Sequence, residues 1–252
     1  MSRTKIKFAV LITLSIFTLG FDICHWPEKP PTETPPDVCS DWDTDCDNIS
    51  NAVETNSANS YLGLDPNSLD TNFSIAHGEP NNGWIEKAFN LPDQGTGYYH
   101  YYGTDMTDED DWGVLTMINM VEGAGRAWYD DHYTPPRIGV GDISWGNAFT
   151  QQFGGPWPPD HISHQDGLDV DIRYVRNDGS DTTLNLYTQP TLYDKNATFQ
   201  LMKFLANNGK VTKIIVSQYA RIVDGGIVIV DSTAEHDNHF HIRIEDPDGT
   251  GN

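Results

Sequence analysis

The chain has 252 residues and a formal charge of −22 at pH 7, from 15 Lys+Arg against 37 Asp+Glu. That balance excludes a nucleic-acid binder, because phosphate backbones are held by Lys/Arg fields, and it excludes electrostatic docking on anionic membranes. The acids are 28 Asp and only 9 Glu, a bias toward turns and loops, while 28 Trp, Tyr and Phe exclude a disordered chain.

Arg3, Lys5 and Lys7 precede an uncharged apolar run from Phe8 to Phe21. This is the pattern of a secretory signal peptide, and it is shorter than the roughly 20 apolar residues of a membrane span. The expectation is a signal peptide over residues 1–23 and export to the periplasm or outer surface, with lipid anchoring at Cys24 as the alternative. No transmembrane segment is expected in the mature chain. In an oxidising compartment Cys39 and Cys46 can close a small loop, leaving Cys24 unpaired, lipidated or removed.

Residues 24–72 read as an acidic, Pro-rich tether, with five prolines from Pro27 to Pro36. Alternating Asp41, Asp43, Asp45 and Asp47 resembles a calcium loop, but counted from Asp41 the Gly at position six and the Glu at position twelve are missing. A solvated acidic linker is the plainer reading. The expected domain is residues 73–252. Asp111 to Tyr129 has helical spacing at Trp112, Leu115, Ile118 and Val121, behind acids that suit a helix start. Arg137–Ile143 reads as a short strand, and Trp145–Pro159 as an aromatic loop that lines a groove or packs. Leu168–Tyr174 alternates strictly and reads as a strand. Asp194 caps a helix carrying Phe199, Met202 and Leu205, with Gly209 as its stop. Val211–Val216, Gly226–Val230 and His239–Ile244 read as strands. Helices and strands mix without β-α-β order, so the fold class is α+β, with a mostly antiparallel central sheet, flanking helices and long loops.

Five of the nine histidines fall in two short segments, His161-Ile-Ser-His164-Gln-Asp-Gly-Leu-Asp169-Val-Asp171 and His236-Asp-Asn-His239-Phe-His241. Side chains alternate along a strand. Leu168, Val170, Ile172 and Tyr174 therefore face one way, and Asp169, Asp171 and Arg173 the other. Phe240, Ile242 and Ile244 likewise oppose His239, His241 and Arg243. If these strands pair, the polar faces share a cleft where Asp171 meets His241 and His164 reaches back. Two imidazoles and a carboxylate suit Zn2+ with an open position for water, whose pKa falls toward about 7. His239, on the same face, can take that water's proton. His236 can bind the oxyanion or orient His239, and His161 can ligate, touch substrate or cap its loop. Asp169 is either a partner of a ligand imidazole or a solvent-facing acid. His77, His100, His132 and Glu235 read as ordinary surface or packing residues.

At these residues the chain resembles the penicillin-insensitive murein endopeptidases, within the lysostaphin, D-Ala-D-Ala peptidase and hedgehog superfamily. The likeness runs through Ser74 to Asp105, Gly141-Asp-Ile-Ser144, Pro159 to Ile172 and His236 to Arg243, about residues 73–245. It implies a hedgehog/DD-peptidase-like fold. It also implies Zn2+ held by His164, Asp171 and His241, active-site histidines His239 and His236, and a metal-associated His161. The implied substrate is cross-linked peptidoglycan, cut at the D-alanyl–diaminopimelyl bond outside the cytoplasm. Residues 176–193 lack an Asp/His pair expected there from the family. The rival readings are a D,D-carboxypeptidase or dipeptidase of the same fold, and a non-enzymatic metal-binding module.

Overall fold

The computed structural model describes residues 42–45, 47–68, 74–101, 110–132, 137–156, 163–208, 210–222, 229–233 and 236–247, all of them in the unit Cys39–Asn252. The expected signal peptide, the three cysteines, Trp157, His161, Gly209 and Glu235 lie outside the described residues.

The described chain starts with a short helix, α1 (Asn51–Thr55), and a 3-10 segment, Ser57–Leu62. A hairpin follows, β1 (Ile75–Glu79) and β2 (Asn82–Glu86). Four short strands come next: β3 (Phe89–Asn90), β4 (Gln94–Gly95), β5 (Tyr98–His100) and β6 (Trp112–Gly113). Helix α2 (Leu115–His132) leads to β7 (Ile138–Val140) and a small hairpin, β8 (Gly146–Asn147) and β9 (Gln152–Phe153). Then come β10 (Asp169–Arg173), α3 (Lys195–Asn208), β11 (Val211–Ser217), β12 (Ile229–Thr233) and β13 (His239–Ile244). Seven strands form the main sheet in the order β12-β11-β13-β10-β7-β5-β4. Among the described strands only the β11–β12 and β5–β7 pairings are parallel. The fold is α+β with mostly antiparallel pairing, as the sequence pattern predicts.

The two strands of interest lie side by side. β10 pairs antiparallel with β13, and Asp171 sits opposite His241. The apolar residues of both strands, Leu168, Val170, Ile172, Tyr174, Phe240, Ile242 and Ile244, are at most 6% exposed. At about 1.5–3 kcal/mol for each large side chain buried, this face fixes the register, since a one-residue slip would turn it to solvent. Helix α2 packs toward β5 and β7, α3 toward β11, and the two helices touch each other.

Helix α2 starts four residues later than its periodicity suggests. Asp111 bridges Ser144, and Trp112–Gly113 pair with β3, so these residues belong to strands. The first turn takes its cap from a distance: Ser74 Oγ accepts from the Leu115 N–H at 2.6 Å. Gly125 does not break α2. A Cβ there would stand 2.6 Å from Thr96 O and 2.8 Å from the Tyr98 ring, so glycine lets the helix touch the β5 strand. Asp194 caps α3 as expected, with Oδ1 accepting from the Ala197 N–H at 2.9 Å.

Residues 42–68 are not a tether. Ile49 and Val53 are at most 1% exposed and belong to the core. The Arg126 guanidinium on α2 lies 3.8 Å from the centre of the Trp42 ring. Tyr61 stacks on Phe153 at 5.1 Å, and the Asn59 side chain donates to Val53 O and Asn90 O at 2.9 and 3.0 Å. The Asp run is likewise not solvated linker. Asp43 is 6% exposed and accepts from the Asn48 N–H, while Asp45 and Asp47 accept from the N–H groups of Asp47 and Ile49. These acids stand in for missing backbone partners in a tight loop. The Trp145–Pro159 region packs in part: Phe153 lies against Trp112 at 4.7 Å.

Candidate metal centre

The sheet brings His164, Asp171 and His241 together, with one potential ligand atom from each within 4.8 Å of the others. His164 Nε2 lies 3.5 Å and His241 Nδ1 3.0 Å from Asp171 Oδ1. The two rings are perpendicular at 89°, with centroids 4.7 Å apart. All three residues are buried, at 4, 9 and 3% exposure.

The remote nitrogens are already engaged. His164 Nδ1 donates to Ile143 O at 3.0 Å, which turns Nε2 toward Asp171. His241 Nε2 donates to Asp169 Oδ1 at 3.1 Å, which turns Nδ1 toward Asp171. Asp169 is no solvent-facing acid: it is fully buried and takes a forked pair of bonds from Arg243, Nε at 2.6 Å and the second guanidinium nitrogen at 2.5 Å. It also accepts from the His164 backbone N–H at 3.1 Å. One carboxylate thus orients both imidazoles, one through its ring and one through its backbone.

His164 has a φ of 71°, the left-handed region that a non-glycine residue enters at a cost. Its carbonyl accepts from Ser144 Oγ, and with the ring and backbone bonds above this holds the strained turn. Gly167 follows at φ 72°, where a Cβ would meet Ile85 Cδ1 at 2.6 Å. The His-Gln-Asp-Gly-Leu-Asp run is therefore a turn that folds a ligand back over the strand it precedes.

Electrostatics favour cations here. Burial would push His164 down, but the Asp171 charge and hydrogen bond outweigh it and raise the imidazole to about 10. His241 is raised in the same way: burial opposes, and Asp169 and Asp171 prevail. Burial would raise Asp171, but the neighbouring His239 and His164 hold it well below the usual carboxylate range.

His239 stands at the rim. Its Nε2 lies 3.3 Å from Asp171 Oδ2, and its Nδ1 lies 2.8 Å from Asn238 Oδ1. His236 is half-buried, with its ring 4.9 Å from that of His239 and 6.1 Å from that of His241. Burial, then the His239 charge, push His236 down to about 4, so it is neutral at pH 7. A cleft of about 300 Å³ opens beside His241, walled by Glu79, Asn81, Ser163, Lys213 and Arg243.

One further group escapes the pattern reading, while the other is the alternating Asp run already weighed as a calcium loop. Asp93, His100 and Asp111 form a second set of potential ligand atoms within 4.8 Å of one another, and Asp43, Asp45 and Asp47 a third. In the sequence the acids at 110 and 111 suit a helix start, and nothing sets His100 apart from an ordinary residue. The available signal was the acidic crowding of residues 105–111, although the partners at 93 and 100 come together only in three dimensions.

The model of the penicillin-insensitive murein endopeptidase family matches residues 76–252. No curated protein matches the chain. The family match takes in both histidine segments and all four strands from β10 to β13; the chain belongs to the penicillin-insensitive murein endopeptidases, a family of metallopeptidases.

Proposed function

We propose that this murein endopeptidase hydrolyses the D-alanyl–diaminopimelyl cross-link of peptidoglycan, with Zn2+ held by His164 Nε2, Asp171 Oδ1 and His241 Nδ1. The observation that carries the reading is the convergence of two oriented ring nitrogens and one carboxylate, each remote imidazole nitrogen being tied off. The donor set fits Zn2+, and three protein ligands leave a coordination position for chemistry. When bound, the ion acidifies water and polarises the scissile carbonyl.

The chain's own groups do the rest. His239 Nδ1 gives its hydrogen to Asn238 Oδ1, so Nε2 is the nitrogen that exchanges protons. It takes a proton from the attacking water and passes it to the leaving amine as the C–N bond breaks. Neutral His236 donates to the oxygen on which negative charge grows. Lys213 puts positive charge on one wall of the cleft, which suits a stem peptide bearing carboxylates. The products are an acid and an amine. Export through the signal-like start places the enzyme where its substrate is. The family resemblance adds His161 as a further metal-associated histidine.

The test is digestion of purified cross-linked muropeptide dimers with mass spectrometry, beside elemental analysis of the chain. Dimers should fall to monomers; release of free D-Ala alone overturns the endopeptidase reading. His241→Ala should lose both metal and hydrolysis. His239→Ala should keep the metal and lose at least about 100-fold in turnover. A metal-replete His239→Ala enzyme with unchanged turnover removes His239 as the base.

A further inference from the structure

A second cluster of ligand-type side chains lies outside the site described above. His100 ends β5, Asp93 precedes β4, Asp110 and Asp111 lead into β6, and Asp142 follows β7. His100 Nε2 is 2.8 Å from Asp111 Oδ1 and 3.7 Å from Asp110 Oδ1. His100, Asp110 and Asp111 are 3, 1 and 0% exposed. Asp93 contributes a ligand atom within 4.8 Å of those of His100 and Asp111.

Asp110 supplies an independent observation. Its carboxylate is buried and faces His100, yet neither oxygen accepts a hydrogen bond from any donor among the described residues. The polar group within hydrogen-bonding reach is the carboxyl of Asp142. Two carboxylates can abut in this way only if they share a proton or a cation lies with them. Burial, and then the charges of Asp111 and Asp142, push Asp110 up to about 8, with His100 pulling the other way.

We propose that His100, Asp93, Asp110 and Asp111 form a second divalent-cation site, distinct from the His164–Asp171–His241 centre. One nitrogen among several carboxylate oxygens selects a first-row ion such as Mn2+ or Zn2+ over Ca2+, which takes oxygen ligands. The site is a clamp rather than a reaction centre, because three of its four ligands, His100, Asp110 and Asp111, are buried. It ties the start of β4, the end of β5 and the entry to β6 into one unit. It also bears on the catalytic candidate through the backbone. Asp110 O accepts from the N–H groups of Ile143 and Ser144, and Asp142 O accepts from the Asp171 N–H. Ile143 O in turn holds the His164 ring. An ion here stiffens the strand segment that orients a ligand of the other centre.

The test uses the full chain stripped by chelation, with Mn2+ as the probe and bound equivalents counted by elemental analysis and electron paramagnetic resonance. Asp111→Asn should bind one equivalent fewer than the wild type. The same one-equivalent loss should recur in a His241→Ala background, where the first centre is already disabled. Asp110→Asn is the companion variant, because Asn can still hydrogen-bond Asp142 and folds on either account; it should weaken the same equivalent by about 10-fold or more. If both variants bind as many Mn2+ ions as tightly as the wild type in both backgrounds, the carboxylates share only a proton and the proposal is overturned. Failure of the first centre shows separately, as an unchanged ion count in His241→Ala alone.

Discussion

Asp169 is the residue on which the catalytic candidate turns, although it offers no lone pair to the ion. It fixes the His241 tautomer, closes the His164 turn and neutralises Arg243. Burial alone would raise its carboxyl, but the bonds from His241 and Arg243 hold it well below the usual carboxylate range. Asp169→Asn keeps the shape and removes the charge. It should weaken Zn2+ binding by about 10–100-fold, measured by competition with a chromogenic chelator. It should also cost about 3 kcal/mol of stability, because it strips a buried ion pair of one partner. Wild-type affinity in this variant would reduce Asp169 to packing. The φ of His164 belongs to the same scale: a strained turn is kept because three bonds from Asp169, Ser144 and Ile143 over-determine it.

Among the elements, α1 and its flanks carry more stability than their composition suggests. Ile49→Ala should lower stability by about 3 kcal/mol in denaturant or thermal unfolding, as a cavity in the core does; a free tether would show no change. Glu122 on α2 is buried against this same segment. Burial raises its carboxyl above the ordinary value of 4.5, with Ser50 and Arg126 partly offsetting the rise. The folded state therefore prefers the protonated form. That contribution is complete below the unfolded value and is lost as pH climbs through the folded one. Glu122→Gln should raise the melting temperature at about pH 8 and flatten its fall from about pH 4; an unchanged slope would count against this carboxyl. How much of this was legible differs from element to element. The alternations Leu168–Tyr174 and Phe240–Ile244 announced their strands, and with them the meeting of Asp171 and His241, because period-two burial is a local signal. The packing of residues 42–68 was hidden, because two apolar residues, Ile49 and Val53, anchor it between acids and asparagines that read as linker. The His100 cluster was hidden for a related reason: buried polar groups from four separate stretches leave no local periodicity.

Over the whole molecule the charge of −22 opposes an acidic substrate. Screening over a Debye length of about 8–10 Å should weaken that repulsion. KM for muropeptide dimers should fall several-fold as salt rises from roughly 0.01 to 0.15 M, with kcat little changed. A flat response would mean that Lys213 on the wall of the cleft governs encounter by itself. Among the described residues no helix is long and apolar enough to cross a membrane. The pairing of Asp171 with His241 has a consequence for the order of assembly. Both stand on neighbouring strands whose spacing is set by the main-chain ladder, above an apolar layer that is complete without any ion. The seat is finished when the sheet is, so the polypeptide can fold first and take up a metal last.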